Sequence, residues 1–148
     1  MSELLAGVKL MDQDLEPVDP EVLKGKVVGL YFSAGWCPPC RQFTPKLKRF
    51  YEEIKKTHPE FEVIFVSRDK ESQDLNEYFG EHMGSWLAIP FGEPKIQELL
   101  AQYEVKTIPS MRIIKPNGDV VVQDARTEIQ EKGTDPEALW EEWLAFYE

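Results

Sequence analysis

The chain contains few cysteines, few histidines and no long apolar run. Only two of its 148 residues are cysteines, and only two are histidines. Two cysteines are too few for the disulfide framework of a small secreted domain. No stretch approaches the ~18 apolar residues of a membrane-spanning helix, and residues 1–10 do not show the basic and apolar regions of a secretory signal. We therefore expect a reducing compartment, namely the cytoplasm and, as a second location, the nucleus.

Positive charge is also scarce. The chain carries 17 cations against 27 acids, a formal net charge of −10. Because a protein that binds nucleic acid or a membrane surface would be expected to have a basic face, we expect neither partner. The charge is uneven, since residues 24–70 carry a net +5 and the segments before and after carry −5 and −10. Both cysteines lie in this basic segment, although a patchy solvated surface is the simpler explanation.

The hydrophobic pattern predicts strands that alternate with helices. Residues 26–34 and 61–67 are continuous apolar, β-rich runs, which is typical of strands buried on both faces. Residues 110–123 contain two further β-rich runs around Asn117-Gly118, a strong hairpin signal. An apolar segment over 86–91 is interrupted by Pro90, so we expect a packed loop there.

Helical spacing of apolar residues begins at Pro38 and ends near His58, with a kink expected at Pro45. Further helices are predicted over 72–83, 94–103 and 134–148. In the last helix the expected inward side chains are Leu139, Trp143 and Phe146. The order of elements predicts a single α/β domain over residues 1–148. Its central mixed sheet would have parallel crossovers, antiparallel edge strands and helices on both faces.

The stretch "GWCPPCR", residues 35–41, places both cysteines where a strand passes into a helix. Free N–H groups at a helix start favour negative charge, and this favours the thiolate of Cys37. Pro38 and Pro39 donate no N–H, so the nearby donors are the amides of Cys40 and Arg41. We infer that Cys37 is the attacking thiolate, open to solvent, and that Cys40 is shielded one turn inward and resolves the mixed disulfide.

Three other interpretations of the cysteine pair remain. Cys-x-x-Cys is half of a zinc site, but a second pair is missing and His58 and His82 lack short metal-ligand spacing. An inert structural disulfide is disfavoured in a reducing compartment. Two ordinary buried thiols would not need so specific a context. Neither histidine is assigned a catalytic role, because both lie at predicted helix ends.

Several motifs resemble the thioredoxin superfamily, and within it the tryparedoxin and nucleoredoxin branch. They are "YFSAGWCPPCRQFTPKL" at 31–47, "VSRD" at 66–69, "WLAIPF" at 86–91, "YEVKTIPS" at 103–110 and "DARTE" at 124–128. The Pro-Pro spacer between the cysteines is similar to that of this branch, whereas thioredoxins proper usually have Gly-Pro. The resemblance implies a thioredoxin-like fold, a central mixed sheet flanked by helices on both faces.

The resemblance also implies residues that bind substrate. Ile108-Pro109 corresponds to the superfamily's cis-proline dipeptide, which faces the cysteines and pairs with an extended substrate. Trp36 is expected to flank the thiolate as a contact surface, together with Pro38 and Pro39. The alternatives are a plain turn at Pro109 and a partly buried core tryptophan at position 36.

Two positions depart from relatives within the superfamily. Tyr31 occupies the place where thioredoxins bury an acidic residue, so the group that removes the proton of Cys40 is not identified. Arg68 stands where parasite tryparedoxins carry a tryptophan that helps to hold a cationic thiol. An arginine there would repel a polyamine conjugate, which argues against trypanothione as the reductant. Arg126 matches a position near the substrate face, although both arginines can also be ordinary surface side chains.

The predicted function is a thiol–disulfide oxidoreductase that reduces protein disulfides through its WCPPC dithiol. Its expected partners are disulfide-containing proteins and an unidentified thiol or reductase that donates electrons. We expect a monomer that needs neither a metal nor an organic cofactor. The main alternative is a redox-regulated binding or signalling protein of the nucleoredoxin type. A peroxidase is a third hypothesis, which the dithiol spacing favours less.

Overall fold

The computed structural model describes residues 4–147. Within them, seven strands form one sheet in the order β2-β1-β5-β4-β3-β6-β7. The strands are β1 (Leu10–Met11), β2 (Pro17–Val18), β3 (Val27–Ser33), β4 (Phe61–Ser67), β5 (Leu87–Ala88), β6 (Ser110–Ile114) and β7 (Val120–Val122). The two long runs of β-rich residues thus form the centre of the sheet, as their continuous apolar character predicts.

Strand β3 lies between a parallel and an antiparallel neighbour. It pairs with β4 in parallel from Val27↔Phe61 to Ser33↔Ser67. It pairs with β6 in the antiparallel sense, with Phe32 opposite Ser110. The predicted hairpin is present, because β6 and β7 are antiparallel neighbours. The predicted mixed sheet is therefore confirmed.

Helices cover both faces of this sheet. They are α1 (Pro38–Thr57), α2 (Ser72–His82), α3 (Pro94–Gln102), α4 (Ala125–Lys132) and α5 (Pro136–Tyr147), with a 3-10 helix at Pro20–Leu23. Buried side chains of α1, α2, α4 and α5 belong to one apolar cluster, whereas those of α3 and the 3-10 helix belong to a second cluster. Helix α1 continues through Pro45.

Alternation along β3 decides which side chains face the cysteine-bearing helix. Val27 and Tyr31 contribute to the cluster that contains the buried face of α1. Val28, Leu30 and Phe32 contribute to the cluster that contains α3. Because side chains of a strand alternate between faces, Ser33 lies on the same side as Tyr31, toward α1.

Three short strands differ from the sequence prediction. The segment predicted to be a packed loop contains β5, which joins β4 in parallel and β1 in the antiparallel sense. A two-residue strand that depends on distant partners has no periodic pattern of its own, and Pro90 lies beyond its end. Strands β1 and β2 were not predicted either, because two residues are too few to show a periodic pattern.

Two helical features also differ. Helix α4 was not predicted, because only Ala125 and Ile129 of its eight residues are buried and the pattern is too short to be periodic. In α5 the expected inward position of Phe146 is wrong, since this side chain is 69% exposed, whereas Trp140 is fully buried beside Trp143. None of the helices within residues 4–147 combines the length and the apolar character needed to span a membrane.

Candidate active site

The two cysteines lie at the turn that joins the carboxyl end of β3 to α1. Cys37 is the N-cap residue of α1, with extended backbone angles. Its amide donates to the carbonyl of Ala34 at 3.3 Å, which closes the turn against the end of the strand. Pro38 and Pro39 occupy the first turn of the helix, where a missing N–H costs no helical hydrogen bond. The local sequence therefore positions the sulfur of Cys37 at the helix start.

The sulfur of Cys37 has two polar contacts. It accepts a hydrogen bond from the amide of Cys40 at 3.3 Å. It also lies 3.8 Å from the carbonyl oxygen of Ile108, to which the thiol can donate. The second amide expected to face the sulfur, that of Arg41, instead donates to the carbonyl of Cys37 at 3.1 Å. One backbone donor, rather than two, is therefore aimed at this sulfur.

The two thiols differ in accessibility, and both are free. Cys37 retains 5% of its surface exposed, whereas Cys40 has none. The order agrees with an outer and an inner thiol, but Cys37 is less open than the sequence predicts. Its neighbours Trp36, Pro38 and Pro39 are exposed around it.

The inner thiol is held in its neutral form. Burial raises the pKa of Cys40 from 9.0 to about 12, and its hydrogen bond with Cys37 contributes in the same direction. A hydrogen bond with Ser33 acts in the opposite direction and lowers this pKa. At neutral pH, Cys40 is therefore a thiol that must lose its proton before it can attack a disulfide.

Four buried hydroxyl groups lie behind Cys40, and we call them the hydroxyl cluster: Tyr31, Ser33, Thr44 and Tyr78. The hydroxyl oxygens of Tyr31 and Tyr78 lie 2.7 Å and 2.6 Å from Thr44 Oγ1. Tyr78 Oη also lies 2.7 Å from Ser33 Oγ. Thr44 Oγ1 is 2.8 Å from the carbonyl oxygen of Cys40, to which it can donate. This cluster occupies the place where the resemblance implies an acidic residue in thioredoxins.

Ile108 and Pro109 face the cysteines from the loop before β6. The peptide bond between them is cis, as the resemblance implies. Ile108 packs against the buried cluster formed by Ala34, Cys37 and Cys40. The alternative of a plain turn at Pro109 is wrong.

Trp36 lies on the surface directly before Cys37. Its side chain is 56% exposed, so the alternative of a core tryptophan is wrong. The indole Nε1 donates to the carbonyl of Arg68 at 3.2 Å, which holds the ring over the β4–α2 connection. The arrangement presents an aromatic face beside the outer thiol.

The two arginines singled out in the sequence lie on different sides of the site. Arg68 is exposed in the β4–α2 connection, and its backbone amide donates to the carbonyl of Ser33 at 2.9 Å. Arg126 is half-buried on α4 and lines a cleft together with Pro109. Its guanidinium donates to Gln130 at 3.0 Å.

Sequence reasoning missed Asp69 and Arg41. The carboxylate of Asp69 is 8% exposed and accepts hydrogen bonds from the amide of Gly35 at 2.8 Å and the hydroxyl of Ser67 at 2.7 Å. Arg41 donates from Nε to the carbonyl of Gly35, and its guanidinium carbon lies 5.9 Å from the ring centre of Tyr78. The available signal was an acidic residue two positions after the end of β4. Because β4 and β3 are parallel, their carboxyl ends lie at the same edge of the sheet, and this places Asp69 near the turn that carries the cysteines.

The two histidines do not complete a metal site. His58 lies at the far end of α1, where Nε2 is 2.8 Å from Glu137. His82 lies 3.5 Å from the guanidinium of Arg41. Across residues 4–147, no group of three or more His, Cys, Asp or Glu side chains has the arrangement that would hold a metal ion. The zinc interpretation therefore lacks further ligands in this part of the chain.

The chain is similar in sequence to known proteins. The model of the thioredoxin-like family matches residues 25–120. Probable nucleoredoxin 1 of Arabidopsis thaliana is 41% identical over 122 residues, which cover 82% of this chain and 21% of that protein. The chain thus spans about a fifth of the length of this relative.

Solved structures show the same fold over nearly the whole chain. The thioredoxin from Wuchereria bancrofti has a TM-score of 0.82 and 43% identity, with coverage of 97% of this chain and 98% of that chain. Native tryparedoxin I from Crithidia fasciculata has a TM-score of 0.81 and 36% identity, with coverage of 90% and 92%. The family and the fold agree, and the chain belongs to the thioredoxin-like family, in its tryparedoxin and nucleoredoxin branch.

Proposed function

We propose that the protein reduces disulfides in other proteins through Cys37 and Cys40. The thiolate of Cys37 attacks a substrate disulfide, forms a mixed disulfide and releases one substrate sulfur as a thiolate. The thiolate of Cys40 then attacks the sulfur of Cys37, so that the bond to the substrate breaks as the Cys37–Cys40 bond forms. Two electrons pass to the substrate disulfide, and the two thiol protons end on its two sulfurs.

One observation carries this proposal. The sulfur of Cys37 lies at a helix start, with the amide of Cys40 as a donor and a small exposed surface, while the sulfur of Cys40 is completely buried behind it. An attacking thiol needs a stabilised thiolate and access, whereas a resolving thiol needs protection from external disulfides. The asymmetry between the two cysteines supports these separate roles.

The substrate surface consists of exposed residues around the outer thiol. An extended substrate segment would pair with the backbone at Ile108, beside Pro109, as an added strand. Trp36, Pro38 and Pro39 would contact its apolar side chains, because all three are exposed next to Cys37. Aromatic anchors of this kind carry much of the affinity in protein interfaces.

Arg68 and Arg126 would lie at the two ends of this surface and contact polar parts of the substrate. The electron donor that regenerates the dithiol is a thiol or a reductase. We further propose that the protein acts as a monomer in the cytoplasm and nucleus, on disulfide-containing proteins and not on nucleic acid or membranes.

Reduction of insulin by the purified chain, with dithiothreitol as the electron source, tests this activity. The parent should accelerate precipitation of the insulin B chain, whereas Cys37→Ser should be inactive. In a cell lysate, Cys40→Ser should accumulate mixed disulfides that dithiothreitol releases, and Cys37→Ser should not. Equal trapping by both variants would contradict the assignment of roles, and an inactive parent would contradict the proposed reaction.

A redox-regulated binding protein is the second candidate function. Trp36 exposes its indole, whereas the neighbouring Cys37 is almost completely buried. Such a surface is suited to docking of a partner as well as to catalytic turnover. Replacing both cysteines by serine separates the two functions. Partner binding that survives this double substitution unchanged would favour the binding function, whereas its loss would favour disulfide exchange.

A further inference from the structure

The thiol of Cys40 packs with Ala34, Cys37 and Ile108, and the hydroxyl cluster beside it contains no carboxylate. Tyr31, Ser33 and Thr44 are completely buried and Tyr78 is 1% exposed. Their placement follows from sequence spacing, because Tyr31 and Ser33 share one face of β3 and Cys40 and Thr44 share one face of α1. The cluster is thus built into the elements that carry the dithiol.

The hydrogen bonds of this cluster can be assigned completely when Cys40 is a thiol. Thr44 donates to the carbonyl of Cys40, so Tyr31 and Tyr78 must both donate to Thr44. Tyr78 then has no hydrogen left, and Ser33 must donate to Tyr78. The oxygen of Ser33 is left to accept from the thiol of Cys40. Every hydroxyl and thiol hydrogen then has an acceptor.

A second complete assignment exists when Cys40 is a thiolate. Tyr31 donates to Thr44, Thr44 to Tyr78, Tyr78 to Ser33, and Ser33 to the sulfur of Cys40. In each hydrogen bond between two hydroxyls either oxygen can be the donor, so no heavy atom must move. Thr44 no longer donates to the carbonyl of Cys40, but a carbonyl at this position in a helix also accepts within the helical hydrogen-bond ladder.

We propose that the hydroxyl cluster stabilises the thiolate of Cys40 by reversing the hydrogen bonds that run from Thr44 through Tyr78 to Ser33, with Ser33 as the donor to sulfur. This inference rests on the proposed function, because it concerns the step in which Cys40 resolves the mixed disulfide. In that step the Cys40 thiolate forms a bond with the sulfur of Cys37, and the substrate sulfur leaves with the electron pair and takes up a proton. The proton that Cys40 loses balances the proton taken up.

Besides Ser33, the backbone of Ala34 shares a hydrogen bond with Cys40 that lowers the pKa of this thiol, and the other nearby side chains are engaged elsewhere. Burial raises the pKa of Cys40, and the hydrogen bond that it shares with Cys37 raises this pKa further. The guanidinium of Arg41 lies against the ring of Tyr78. The carboxylate of Asp69 is occupied by the amide of Gly35. Ser33 is therefore the side-chain donor that can face a Cys40 thiolate, and a chain of polarised hydroxyls strengthens its hydrogen bond.

The reaction of the reduced protein with an equimolar amount of dithiobis-nitrobenzoate separates the two thiols. Attack by Cys37 releases one coloured thiolate in a first phase, and resolution by Cys40 releases another in a second phase. The variants are Ser33→Ala, which removes the donor, and Ser33→Thr, which keeps a hydroxyl. Tyr51→Phe is the matched control, since it removes a buried hydroxyl outside the cluster.

Ser33→Ala should slow the second phase about 10-fold at neutral pH and leave the first phase unchanged, because a hydrogen bond to a charged group is lost. The pH dependence of the second phase should move to higher pH. Ser33→Thr should restore the rate to within about 3-fold of the parent, and Tyr51→Phe should leave both phases unchanged. Restoration by threonine separates hydrogen-bond donation from a general loss of packing.

A second phase that Ser33→Ala leaves unchanged, in a folded variant, would overturn the inference while the proposed function stands. A parent that shows no second phase would instead contradict the dithiol mechanism. If neither Ser33 variant folds, Tyr78→Phe tests the chain of hydroxyls, because it removes the donor to Ser33. It should slow the second phase about 3-fold, and an unchanged rate would overturn the inference.

Discussion

The carboxylate of Asp69 accepts a hydrogen bond of 2.8 Å from the backbone amide of Gly35, two residues before the outer cysteine. Its second oxygen accepts from Ser67 at 2.7 Å, so the group is fixed from both sides. Asp69 follows β4, and Gly35 follows the parallel strand β3. This hydrogen bond joins the ends of the two central strands and orients the turn that carries Cys37.

Substitution of Asp69 tests this positioning. Asp69→Ala leaves the amide of Gly35 buried without an acceptor, and we expect a loss of about 2–3 kcal/mol in the free energy of unfolding. Asp69→Asn keeps an acceptor for Gly35 and presents its NH₂ to Ser67, so its loss should be about 1 kcal/mol. Urea unfolding of the reduced proteins measures both values. Equal losses for the two variants would show that the acceptor at Gly35 contributes nothing.

Trp36 offers a test of substrate contact with little effect on stability. Its indole is 56% exposed, so Trp36→Ala should change the free energy of unfolding by less than about 1 kcal/mol. If the indole anchors protein substrates, KM for insulin should rise about 10-fold. KM for a small neutral disulfide should change little.

Phe146→Ala is the matched control for Trp36→Ala, because Phe146 is a large aromatic side chain that is 69% exposed on α5. It should leave KM for both substrates unchanged. An equal rise in KM for insulin in the two variants would contradict a specific role of Trp36 and indicate a general effect of reduced aromatic surface.

The central sheet could be predicted because β3 and β4 are buried on both faces and their sequences show it directly. The edge of the sheet could not, since β1, β2 and β5 have two residues each, too few for a periodic pattern, and β1 joins the sheet through pairing with the distant β5. Helix α4 escaped prediction because its length and its two buried residues leave no periodic signal. Local pattern thus predicts elements that bury a whole face, and misses those that long-range pairing stabilises.

The candidate site also contains residues that the sequence predicts and residues that only the tertiary structure brings together. Spacing alone indicated Cys37 and Cys40, because their separation and their position between strand and helix are local features. The hydroxyl of Tyr78 meets Thr44 and Ser33 across separations of 34 and 45 residues. No pattern within α2 distinguishes this tyrosine from an ordinary buried aromatic residue. The partners of the inner thiol therefore required the tertiary structure.

Burial of Cys40 predicts a loss of stability at alkaline pH. Burial raises its pKa in the folded protein from 9.0 to about 12. Above about pH 9 the unfolded chain gives up this proton and the folded protein does not, so stability falls as the pH rises toward 12. Cys40→Ser lacks this contribution, and its free energy of unfolding should decline less steeply between these pH values. Urea unfolding of both reduced proteins at several pH values measures the difference, and parallel declines would contradict the prediction.

A buried ion cluster at the other end of α1 provides the last prediction. Tyr51 donates to the carboxylate of Glu62 at 2.9 Å, and Lys26 and Lys55 lie 3.8 Å and 3.6 Å from the same carboxylate. Tyr51→Phe removes one donor from a buried charge and should cost about 1–2 kcal/mol of the free energy of unfolding. Because residue 51 lies about 16 Å along the helix from Cys40, both phases of the thiol reaction should be unchanged. A slower second phase in this variant would show that stability, rather than a local hydroxyl, sets the rate at the inner thiol.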